Sequence, residues 1–298
     1  MSEQRTETAP ARIVAFANQK GGVGKTTTAV STAVLLARLG YRVLLVDIDP
    51  QGNATSSLGV EKRDLLYSGY DVLVDQLPVG RAVAVTDRRN LDLVPATAAL
   101  AGAEVELVQV ERRERRLALA LNAVLDRYQI VLIDCPPSLG MLTVNALTAA
   151  DDVIVPIQCE FLALEGVSQL VTTIDLVKQA LNPRLDVLGV LMTMFDARTR
   201  LSAHVVEEVR RYFPDRIFET VIPRSIRLAE APSYGQSIVE YDPNSRGGLA
   251  YKAMTHELIA RLGLGAPTGS VFAGVSGSAS EPVPMTDLPM SVPAVTSV

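Results

Sequence analysis

Three glycines among four positions, followed by a lysine and two threonines, make Gly21-Gly22-Val23-Gly24-Lys25-Thr26-Thr27 a stretch suited to holding polyphosphate. Lacking Cβ atoms, the loop can turn its backbone N–H groups inward, and a helix starting here aims its positive dipole end at the same spot. Lys25 then reaches β- and γ-phosphate oxygens, the Thr26 hydroxyl stands where a Mg2+ ligand is needed, and Thr27 adds a contact to the α-phosphate. Attack by water on the γ-phosphate needs an acceptor about 3 Å away, and a carboxylate can serve. Two such groups, Asp47 and Asp49, lie in the segment DIDPQGN. A third, Asp134, opens DCPPS, at the place where an acidic residue holds a magnesium-bound water during nucleotide hydrolysis.

The surrounding elements give these groups a common position. Apolar runs at Ile13 to Ala17, Tyr41 to Val46, Gln129 to Ile133, Val153 to Pro156 and Leu185 to Met194 read as buried strands, and Leu91 to Pro95 alternates as a strand does. Helices are expected over Ala29 to Leu39, before the stop signal Gly40, and over Leu249 to Leu262 with Tyr251, Met254, Leu258 and Ile259 on one stripe. Strands alternating with helices predict an α/β fold with a doubly wound, mainly parallel sheet flanked by helices. Ligands of such sheets gather at the carboxyl ends of the strands, where the phosphate loop and the three aspartates fall.

A chain of 298 residues, 48% hydrophobic, can bury one large core, expected to span 12–262 as a single domain. Its net charge of -5 excludes a globally basic nucleic-acid binder, so DNA contact would need a local patch. One stretch is basic: Phe195 to Pro232 carries Arg198, Arg200, Arg210, Arg211, Arg216, Arg224 and Arg227. Two readings stand open, solubilising surface charge or a patch tracking DNA phosphates without regard to sequence. The run ERRERR (111–116) reads as a solvated helix face.

Cys135 and Cys159 lack C-x-x-C spacing, which argues against disulfide, zinc or cluster frameworks and fits a reduced cytosol. No apolar run approaches the roughly 18 residues of a membrane span. Residues 1–11 are expected to be a disordered leader with no room for a helix-turn-helix module. Residues 263–298 turn to Gly, Ser, Ala, Pro and Val, the composition of a disordered tail, without the basic amphipathic stripe of a membrane anchor.

The general G-x-x-x-x-G-K-[ST] pattern would place a glycine where Gln19 stands; instead an extra lysine, Lys20, precedes the loop. This K-G-G-x-G-K-[ST] form resembles the deviant Walker A motif of the ParA/MinD group of P-loop ATPases. DIDPQGN, DCPPS, FDARTRL and VIPRSIRLAEAPSYGQSI resemble ParA segments in the same order. Over about Ile13 to Leu262 the chain is identified as a member of the chromosomal, Soj-like ParA partition ATPases.

That resemblance implies ATP and Mg2+ as cofactors and an ATP-dependent homodimer in which Lys20 reaches the nucleotide of the other subunit. It implies that Asp49 orients the attacking water, that Asp47 supports the switch region, and that Pro136 and Pro137 stiffen a second switch after Asp134. Pro223 and Ser225 would border the adenine, while Arg198, Arg227 and then Arg224 would bind non-specific double-stranded DNA. Implied too are a cytoplasmic, nucleoid-associated location and a ParB-type centromere-binding partner that stimulates slow hydrolysis. The alternative within the group is a MinD-like positioning ATPase at a membrane; a metal-cluster carrier of the same fold would need paired cysteines.

Overall fold

The computed structural model describes residues 11–160 and 165–269. The expected runs form β1 (Arg12–Phe16), β2 (Val43–Asp47), β4 (Leu91–Val94), β5 (Ile130–Asp134), β6 (Asp152–Gln158) and β7 (Asp186–Thr193), and a short strand the sequence did not announce, β3 (Ala84–Val85), joins them. They make one sheet in the order β3-β4-β2-β5-β1-β6-β7. Every pairing is parallel except that of β3 with β4, so the expected α/β, doubly wound architecture is the one observed.

Alternation along the strands feeds two cores. Val14, Phe16, Ile130 and Leu132 face the helices Lys25–Arg38 and Arg246–Leu262. Ile13, Ala15, Val131 and Ile133 face the opposite layer, which includes the helix Met141–Ala149. With both faces covered, the central strands have no solvated side, which is why they read as continuous apolar runs rather than alternating ones. Each large side chain buried there, such as Phe16 or Leu45, contributes about 1.5–3 kcal/mol.

Local capping shifts several boundaries from those expected. The last helix begins at Arg246, ahead of Leu249, because the Ser245 side chain accepts a hydrogen bond from the Gly248 N–H, and Gly263, at φ 58°, closes it. The ERRERR run is not a helix face. Arg112 sits at φ 55°, residues Arg113–Arg115 form a 3-10 turn, and the Arg113 guanidinium donates to Glu114 and to the Val108 carbonyl.

The expected leader and tail fall largely outside the described residues. Ala11, however, is buried in the core. The described residues after Gly263 are tied to the domain: the Gly269 N–H donates to the Gly40 carbonyl at 2.7 Å and the Thr268 hydroxyl to Gln129. Among the described residues, no helix is long and apolar enough to cross a membrane.

Candidate nucleotide site and the basic segment beside it

The phosphate loop leaves β1 and is held from both sides. Asn18 donates to the Pro156 carbonyl at 2.7 Å and accepts from the Lys20 N–H at 3.0 Å. On the other flank the Thr193 hydroxyl, at the end of β7, donates to the Val23 carbonyl at 2.8 Å. Gly24, at φ 88°, is the residue before the helix Lys25–Arg38, and a left-handed backbone at that point favours glycine. Lys25 is buried and folds back to donate to the Lys20 carbonyl at 3.2 Å. Burial lowers its pKa, against the opposing pull of Asp134 and Asp49.

Parallel pairing of β2 with β5 sets Asp47 directly beside Asp134. Both are fully buried, yet they are bonded differently. Asp47 accepts from the Asp49 N–H at 3.1 Å and, on its other oxygen, from the Thr55 N–H and hydroxyl at 2.8 Å each. Its carboxylate is thereby committed to holding the segment that follows β2. Burial pushes its pKa up to about 6. Asp134 has both carboxyl oxygens buried with no hydrogen-bond partner among the described residues. Burial, and next the neighbouring Asp47, raise its pKa well above the ordinary carboxylate range, while Thr26 and Lys25 act in the opposite sense.

A buried carboxylate lacking partners is costly, and a Mg2+ ion with its waters removes that cost. Hard oxygen donors are what this ion prefers, so Asp134 together with the Thr26 hydroxyl fits it on chemical grounds.

A cavity of about 470 Å³ runs away from the loop. Lys25, Thr26, Thr27 and Asp49 line it together with Pro223, Ser225 and Leu228. Asp49 also accepts from the Gln51 N–H at 2.9 Å. The loop after β5 abuts the glycines, since a Cβ placed on Gly21 would stand 3.8 Å from that of Pro137. Pro136 is buried beneath it. Cys135 is fully buried and burial pushes its thiol pKa up, in keeping with packing rather than nucleophilic work. Ser225 precedes the helix Ile226–Glu230, its side chain in no capping bond.

Lys20 lies outside this cavity lining; its ammonium pairs with Glu160 at 3.4 Å. Arg224 lines the cavity and meets the same carboxylate at 3.3 Å. Thr193, Met194, Gln51, Asn53 and Tyr251 also line the site, and none was assigned a site role from the sequence, which read Tyr251 as part of a packing stripe. Thr193 and Met194 carried one usable signal, their place at the carboxyl end of a strand. Tyr251 carried none, because its hydroxyl comes within 3.1 Å of Thr28 only through helix packing.

The basic segment is less free than its composition suggests. Arg198 makes a two-pronged pair with Asp196 at 2.9 and 2.7 Å. Arg227 reaches Glu230 at 3.1 Å and Asp242 at 3.7 Å. Arg216 is tied to Asp186, at the start of β7, at 2.9 Å. Arg200, Arg210 and Arg211, all on the helix Arg200–Tyr212, are exposed and carry no ion pair among the described residues.

Residues 11–187 match a family model described as an AAA domain. Over 249 residues the chain is 56% identical to the sporulation initiation inhibitor protein Soj of Bacillus subtilis (strain 168), covering 84% of this chain and 98% of that one. It is 52% identical over 250 residues to the chromosome partitioning protein ParA of Myxococcus xanthus (strain DK1622), covering 84% and 88%. A crystal structure described as cobyrinic acid a,c-diamide synthase from Mycobacterium smegmatis, with bound ADP and magnesium, matches with a TM-score of 0.76 at 41% identity over 88% of this chain and 99% of that one.

Proposed function

The chain belongs to the ParA/Soj family of chromosome-partitioning ATPases, and from that premise we propose that it is an ATP-driven switch for DNA partition. In this reading two subunits close around two Mg-ATP, present a joined basic surface to nucleoid DNA, and release it after hydrolysis stimulated by a ParB-type partner. The observation that carries the reading is the convergence of Lys25, Thr26, Asp49, Pro223 and Ser225 on one cavity beside the unpartnered carboxylate of Asp134. The ADP and magnesium held by the Mycobacterium smegmatis protein support the same ligands here.

The residues divide the work. Backbone N–H groups of residues 21–27 and the Lys25 ammonium would bind the phosphates, and Thr26 with Asp134 would hold Mg2+, which when bound would neutralise charge on the phosphates. Asp49 orients the attacking water and takes up its proton. Asp47, already spent on Asp49 and Thr55, positions rather than reacts. Pro223 and Ser225 border the base. Lys20 is freed from Glu160 on assembly and reaches the nucleotide of the other subunit.

Turnover by the protein alone is slow in this account, because Arg224, the one arginine among the described residues lining the cavity, is held by Glu160 rather than free to stabilise the developing charge. Doubling a weak basic patch on dimerisation makes DNA retention depend on ATP.

Asp49→Ala tests the division of labour. The variant should bind Mg-ATP and form the dimer seen by light scattering, while hydrolysis falls by about 100-fold or more. Normal turnover would remove Asp49 from its role. A wild-type protein that neither hydrolyses ATP nor dimerises with it would overturn the reading.

A further inference from the structure

Arg88 stands in the loop between β3 and β4, remote in sequence from every segment assigned above. Its backbone is fixed there by Thr86, whose hydroxyl accepts from the Arg88 N–H at 3.1 Å and donates to the Leu91 carbonyl at 2.7 Å. Only 15% of its side chain is exposed. The guanidinium spends its donors on three groups from two distant parts of the chain. Nη1 donates to the Leu58 carbonyl at 2.7 Å, and Nη2 to the Gly235 carbonyl at 2.8 Å. Nε and Nη2 donate to the two oxygens of Glu240 at 2.8 and 3.2 Å.

Each end of this bridge continues into a functional segment. Leu58 caps the short helix Asn53–Ser57, whose Thr55 is clamped by Asp47, and the residues leading into it include Asp49 and Gln51 on the nucleotide cavity. Gly235 closes the turn Ala231–Tyr234 at φ 63°, and a Cβ there would stand 3.0 Å from the Gly59 Cα, so the two backbones touch. Glu240 in turn accepts from the Ser237 N–H and hydroxyl at 2.9 and 2.8 Å, fixing the start of the helix Ile238–Tyr241. That helix ends in Tyr241, whose hydroxyl donates to Glu230, the acid partner of Arg227.

We propose that Arg88 is a positioning residue that couples the nucleotide-facing segment 49–59 to the DNA-facing segment 226–241. The proposal rests on the function put forward above and adds the route by which one site informs the other. A planar guanidinium with fixed donor directions sets the distance between the two carbonyls it joins. Movement of Leu58 with the state of the γ-phosphate therefore cannot occur without moving Gly235 or breaking buried bonds. Lysine, with one flexible charge centre, cannot reproduce the three-way geometry.

The test is a linkage measurement. Affinity for random-sequence duplex DNA is measured with Mg-ADP and with a non-hydrolysable ATP analogue plus Mg2+, for wild type, Arg88→Gln, Arg88→Lys and Glu240→Gln. Thermal melting and nucleotide affinity without DNA are recorded beside it. The wild-type ratio of DNA affinities in the two nucleotide states defines the coupling, which for linked sites is commonly about 5- to 150-fold. Arg88→Gln should bring the ratio close to one while nucleotide affinity without DNA changes by less than about threefold, and Arg88→Lys should regain melting temperature without regaining the ratio. A role in folding alone would lower melting and leave the ratio intact, and that result overturns the proposal.

Wild type without any nucleotide dependence of DNA binding would overturn the functional reading and the coupling with it. Wild-type gating that persists in Arg88→Gln would overturn the coupling alone. If Arg88→Gln does not fold, Glu240→Gln decides: it keeps both carbonyl bonds of Arg88 and lowers the ratio in part, whereas an unchanged ratio contradicts the bridge.

Discussion

Asp47, Asp49 and Asp134 lie close together, and their surroundings assign them different work. Hydrogen bonds from Thr55 occupy Asp47, Asp49 is buried but lines the cavity, and Asp134 is buried with no hydrogen-bond partner among the described residues. Their presence was legible because each ends or follows an apolar run, where an α/β sheet gathers its ligands. Their division was not, since the Asp47 clamp depends on a five-residue helix, Asn53–Ser57, too short to show a period. The account makes a metal-dependent prediction at this scale. Chelating Mg2+ should weaken ATP binding by wild type about tenfold or more, whereas Asp134→Asn should start weak and respond little to chelation, because the donor that profits from the ion is gone. Titration calorimetry with and without EDTA reads both, and equal Mg2+ dependence in the variant would remove Asp134 from the ion site.

The strands other than β3 and the helices expected over 29–39 and 249–262 were readable from the sequence and are shifted only at their ends, whereas β3 and the helix Arg200–Tyr212 were not anticipated. The basic segment was readable only as composition. Four of its arginines meet carboxylates, near in sequence for Arg198, Asp196 being two residues away, but distant for Arg224, whose partner Glu160 sits at the far side of β7 in the chain. No pattern reveals such pairs before the fold brings them together. Within this element charge is therefore held in reserve, and freeing it should strengthen DNA binding. Asp196→Asn keeps an oxygen for the Arg198 N–H but drops the charge that neutralises its guanidinium. It should raise DNA affinity and steepen the salt dependence by about 0.9 in log–log slope, the increment for one more phosphate contact. Arg227→Glu should lower affinity with ATP affinity unchanged. Filter binding across a salt series checks both; an Asp196→Asn curve overlying wild type would place Arg198 off the DNA.

At the scale of the whole molecule, the nucleotide cavity and the basic segment share Pro223, Arg224, Ser225 and Leu228, so in the proposed reading nothing would have to travel far for ATP to alter the DNA face. On the proposed reading, an acidic chain with a small basic patch would bind DNA weakly as a monomer, and pairing two patches would steepen the response. Residues 264–269, which composition assigned to the expected tail, are instead bonded to Gly40 and Gln129, a contact no composition could forecast. The most direct measurement is binding of the full chain to random-sequence duplex DNA at low and high salt, with no nucleotide, with Mg-ADP and with Mg-ATP in parallel. Retention with Mg-ATP alone, lost at high salt, is the predicted result. Equal DNA binding in all three states, or none in any state despite ATP-driven dimerisation, would contradict the account.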